Sequence, residues 1–173
     1  MKTAFSLAVV WYSLVLPSYA QTTAPPSLDD NSALEYRHPG GLFSSIVTAH
    51  GQEMVMGQYR SFEIVPVNPS STFTEDVPEI FVVFHLHQHD SQFRVSGRWS
   101  VERGEGSPSN AVLGTDSMIL MTEDESGYVS ITRPASGWPI GLYKVEIFTG
   151  TGDSDMDPIG TLRFSVVRSK AAS

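Results

Sequence analysis

Cysteine is absent from the 173 residues, which excludes disulfides, thiol nucleophiles, iron–sulfur clusters and thiolate zinc sites. Positive charge is scarce. Eleven lysines and arginines face 19 aspartates and glutamates, giving a formal net charge of -8. Nucleic-acid binders need a lysine- or arginine-lined surface to neutralise phosphate, so no nucleic-acid partner is expected. Beyond residue 16 no apolar run is long enough to suggest a bilayer-spanning helix. Catalytic signatures are missing too: there is no G-x-S-x-G elbow, H-E-x-x-H pair, P-loop or dinucleotide-binding glycine fingerprint. A Ser-His-Asp triad is recognised by geometry and not by spacing, so a small exported hydrolase stays open as an alternative.

What is present begins with an export signal. Lys2 supplies a positive start, Ala4–Leu16 a short apolar run, and Ser18-Tyr19-Ala20 small residues at the -3 and -1 positions of a cleavage site. Cleavage is expected after Ala20. Gln21 follows the cut, so no lipobox cysteine is available for a lipid anchor. The expected destination is periplasmic or extracellular, with no membrane span after cleavage. Residues 21–40, with Pro25-Pro26 and Asp29-Asp30, read as a disordered leader; 41–168 read as one domain and 169–173 as a flexible tail. An exported domain without disulfides must be held by packing alone, and it fits bacterial export.

From Gly41 onward short β-rich segments alternate with Gly, Pro, Asn, Asp and Ser clusters, the pattern of an all-β fold. Strands are expected near 43–49, 53–66, 79–88, 93–102, 117–122, 127–133, 142–149 and 159–167, and no helix. In 93–102 the residues Phe93, Val95, Gly97, Trp99 and Val101 share one face; Arg94, Ser96, Arg98, Ser100 and Glu102 share the other. Such alternation marks an antiparallel strand with one buried face. Glu123-Asp124-Glu125-Ser126-Gly127 reads as the solvated tip of a hairpin joining 117–122 to 127–133.

A family resemblance enters at Trp138-Pro139-Ile140-Gly141-Leu142-Tyr143-Lys144-Val145. A tyrosine near the start of a late strand, two residues before a core position, is the tyrosine-corner pattern of immunoglobulin-like sandwiches. With the Gly160–Val166 strand, the Arg98-Trp99 strand and Gly127–Arg133, the stretch 79–167 resembles bacterial immunoglobulin-like or fibronectin-like accessory domains. The resemblance implies an all-β, immunoglobulin-like antiparallel β-sandwich of about 7–8 strands. It implies Trp99 in the core, and Val145 where bridged relatives carry cysteine. It also implies a non-catalytic binding or interaction module, with an unidentified protein or other envelope component as partner, acting as a monomer or weak oligomer. The chain departs from the pattern at Thr149–Asp157, where a longer acidic loop replaces a tight turn.

Two clusters invite metal chemistry. His85, His87 and His89 alternate along one segment, and on a strand they would share a face with neighbours about 7 Å apart. Imidazole suits copper or zinc, so a periplasmic copper- or zinc-binding protein is an alternative reading. The opposite face, Ile80, Val82, Phe84 and Leu86, is the expected core side. Asp153, Asp155 and Asp157 alternate like calcium-loop carboxylates. Pro158 and Phe164, however, stand where an EF-hand needs glycine and glutamate, so only a calcium site of another type remains.

Overall fold

The computed structural model describes residues 38–57, 62–152 and 156–169. The expected signal sequence, the expected leader up to residue 37, Asp153, Asp155 and residues 170–173 lie outside them. Nine strands form two sheets facing each other, an all-β sandwich with no helix among the described residues. They are β1 (Phe43–Met56), β2 (Phe62–Pro69), β3 (Thr72–Thr74), β4 (Glu79–Leu86), β5 (Phe93–Gly104), β6 (Ala111–Leu120), β7 (Ser126–Thr132), β8 (Gly141–Gly150) and β9 (Asp157–Val167). One sheet has the order β2-β1-β4-β7 and the other β3-β9-β8-β5-β6. All pairings are antiparallel except β3 with β9, which makes the second sheet mixed where an antiparallel one was expected.

Period-two alternation explains the core. Ile80, Val82 and Phe84 of β4 face Val95, Trp99 and Val101 of β5, Tyr143, Val145 and Ile147 of β8, and Phe164 of β9; all are essentially buried. Trp99 stands directly opposite Val145 in the β5–β8 ladder. Gly97, two residues along the same face, gives the indole its room: a Cβ there would lie 2.7 Å from the Trp99 ring. The Tyr143 hydroxyl donates to the Pro139 carbonyl four residues upstream, fixing the bend into β8. Trp138 closes that end, with Nε1 donating to the Val77 carbonyl at 2.8 Å and its ring edge-on to Tyr143.

Two departures from the expected strands shape the molecule. First, β1 continues through Gly51 to Met56 and serves two partners: residues 43–49 pair with β4 and 49–56 with β2, Ala49 pairing with both. The hairpin then folds over the outward face of its own sheet. Ile64 packs there against Ala49 and Val83, and its N–H donates to Ser126 Oγ at 2.7 Å. Second, β6 and β7 are not a hairpin. β6 pairs with β5 and β7 with β4, so residues 121–125 cross between sheets. Asp116 latches the crossing, its Oδ2 accepting the Ser130 N–H of β7 at 2.8 Å.

Candidate functional site: a histidine–carboxylate cleft

The strand carrying the histidines ends earlier than the alternation suggested. At Leu86 the backbone turns to other partners: Leu86 N–H donates to the Glu125 carbonyl and His87 N–H to the Leu42 carbonyl. His85 is therefore the last histidine on β4, while His87 and His89 belong to the loop that follows. The shared-face spacing expected of all three does not apply to the loop pair.

The three histidines nevertheless line one cleft. Glu63 of β2 overhangs it from one side and the crossover residues Thr122–Glu125 close the other, enclosing ≈ 630 Å³. Glu63 reaches the cleft because β2 lies across the sheet, and its Oε1 stands 3.1 Å from His85 Nδ1. His85 is thus half-covered instead of facing open solvent. His89 bridges its loop to the crossover, with Nε2 2.9 Å from the Asp124 carbonyl and Nδ1 3.0 Å from the Ser91 carbonyl. Its ring stands edge-on to Phe93 at 4.8 Å. Both partners are carbonyl oxygens, so a neutral His89 ring donates to one of them and leaves its other nitrogen without a proton. His87 is exposed at the rim.

The acidic turn is a wall of this cleft and not a free tip. Asp124 organises it, its Oδ2 accepting the Met121 N–H at 2.7 Å while its own N–H donates to the Met121 carbonyl. Glu123 accepts from the Thr122 hydroxyl. Glu63 and the acidic wall were not recognisable as cleft residues from sequence, because only the folded-back hairpin and the sheet crossing bring them to the histidines. Among the described residues, no three histidine, aspartate and glutamate side chains are grouped to hold a metal ion. Asp157 is exposed at the start of β9, opposite Thr149, and does not line this cleft; Asp153 and Asp155 lie outside the described residues.

No histidine ring in the cleft meets a hydroxyl among the described residues. Elsewhere, Ser100 Oγ is buried without a hydrogen-bond partner and lies opposite Lys144 in the ladder. Ser100 is buried, so this hydroxyl is not presented at the surface.

Fold and cleft together define a class: a two-sheet β-sandwich whose polar end cleft is assembled from one strand end, one overhanging hairpin and one sheet crossing. No protein-family model matches the chain, and no curated protein matches it at a significant level.

Proposed function

We propose that the protein is an exported, non-catalytic binding module on an immunoglobulin-like sandwich, and that the histidine–carboxylate cleft is its recognition site. The observation that carries the reading is the convergence of three separate segments, around Glu63, His87 and Asp124, on one cleft at a sandwich end. Immunoglobulin-like domains bind through such end segments because rigid sheets hold them in place. The immunoglobulin-like assignment is supported by the Tyr143–Pro139 tyrosine corner and by Trp99 opposite Val145 in the core. Export is supported by the Lys2, Ala4–Leu16 and Ser18–Ala20 pattern, and the partner is a component of the cell envelope or its surroundings.

The test is site-directed photo-crosslinking of the mature protein in an envelope extract. A crosslinker at His87 is expected to give one discrete adduct that a crosslinker at Thr115, on the outer face of the other sheet, does not give. Equal labelling from both positions, or turnover of ester, peptide or glycoside substrates that a cleft variant abolishes, overturns the reading. A copper- or zinc-binding function is the second reading, favoured by the presence of all three histidines in the one cleft. It requires heat of Cu²⁺ or Zn²⁺ binding that a His85→Ala/His87→Ala variant loses, and it fails if the wild-type protein gives none.

A further inference from the structure

Three of the seven exposed large apolar side chains among the described residues lie together at the far end of the β1–β2 hairpin. Met54, Met56 and Phe62 are 60%, 69% and 67% exposed. The ladder places Met54 opposite Ile64 and Met56 opposite Phe62, and opposed residues share a face. These four therefore form one apolar face. Its inner end, Ile64, is held against the sheet by Ala49 and Val83, and the rest projects beyond the sheet. Two thioethers thus stand in solvent on a face of which Ile64 alone is buried.

Met118 is the contrast. It is half-buried against both hydrophobic clusters and lies close to Gly127, whose Cβ, if present, would be 3.0 Å from its sulfur. Thioether oxidation follows access to the oxidant, and the sulfoxide it yields is polar. At Met118 that oxygen would enter packed apolar surroundings; at Met54 and Met56 it enters water.

We propose that Met54 and Met56 are a reversible oxidation site for peroxides, which converts the hairpin's projecting face from apolar to polar while the sandwich stays folded. The sulfur lone pair attacks one peroxide oxygen. An S–O bond forms as the O–O bond breaks, and each hydrogen peroxide consumed leaves one water. Sulfur is oxidised by two electrons and the peroxide is reduced by two. Reversal requires a methionine sulfoxide reductase and a thiol reductant.

The experiment is a hydrogen peroxide time course on the full-length mature protein, read by peptide mass spectrometry and by retention on a hydrophobic-interaction column. Met54 and Met56 should each gain one oxygen about tenfold or more faster than Met118, as expected for solvent-facing thioethers. Met121, 45% exposed, should fall between them. Retention should drop with the first two oxidations, the thermal midpoint should hold, and reductase treatment should restore retention. A Met54→Leu/Met56→Leu variant should keep its retention through the same time course. Oxidation of Met118 at the same rate overturns the proposal. So does unfolding on the first oxidations, or a retention loss that the double variant shares.

Discussion

Tyr143 joins packing, hydrogen bonding and ionisation in one side chain. It is buried, stacks on Phe164 with centroids 5.2 Å apart, and donates to the Pro139 carbonyl. Tyr143→Phe keeps the ring but removes the donor, and should lower unfolding free energy by about 1–3 kcal/mol, read by chemical denaturation. Burial also pushes the Tyr143 phenol up to about 12. A raised folded-state value means the native protein favours the protonated phenol. Its contribution is therefore complete below the unfolded value of about 10 and is lost as pH rises from there toward 12. Wild-type denaturation midpoints should fall over that alkaline window, and the fall should be shallower in Tyr143→Phe. Gly97 has the opposite role, since its value lies in what it omits. Gly97→Ala drives a Cβ to 2.7 Å from the Trp99 ring, and such overpacking costs about 1–3 kcal/mol. A weakened near-ultraviolet tryptophan signal should accompany the loss; an unchanged signal and stability would show that the indole tips aside freely.

Among the elements, the far part of the β1–β2 hairpin and the chain just past β9 each hang on a few contacts. Ile64→Ala removes the apolar pin of the hairpin and should cost about 2 kcal/mol, the low end for a large aliphatic side chain in so small a cluster. The damage should be local. Amide exchange should quicken across β2, while Trp99 and Tyr143 keep their native signals. The end of β9 is tied down by Ser169, whose hydroxyl donates to Asp76 at 2.9 Å. Hydrogen bonds from Thr74 and Ser169 hold the Asp76 carboxyl below its ordinary range, with Arg133 adding attraction. A depressed carboxyl contributes fully above the unfolded value of about 3.9, and the contribution drains away as pH falls from there through the lower folded-state value. Hydrogen exchange of the Glu75 N–H, which donates to the Val167 carbonyl, should therefore lose protection at pH 3 relative to pH 6, after correction for intrinsic rates. Asp76→Asn should show the weaker protection already at pH 6. The strands legible in the sequence were β5, β7, β8, β9 and the body of β4, most of them with one wet and one dry face. β3 has only three residues, too few to show a period. β1 was cut short because Gly51 looks like a turn residue yet sits inside the ladder opposite Val67.

Across the whole molecule, sheet membership was the hidden variable. Glu123–Gly127 has the composition of a hairpin tip, and nothing local distinguishes a turn that returns to its own sheet from one that crosses to the other. The crossing is decided by β5 and β4, which compete for β6 and β7 through contacts distant in sequence. The candidate cleft shared that fate: the alternation identified His85, but Glu63 and the acidic wall arrive only through long-range packing. The parallel pairing of β3 with β9 carries a consequence for biogenesis. Thr72 meets Ser165 across 93 positions of sequence, and β9 also supplies Leu162, Phe164 and Val166 to the core. A chain that emerges from a ribosome with its N-terminus leading cannot close this sandwich until β9 has followed β3 out. The final strand acts as a timer. Until it arrives, Leu162, Phe164 and Val166 are missing from between the sheets and β3 has no strand to pair with.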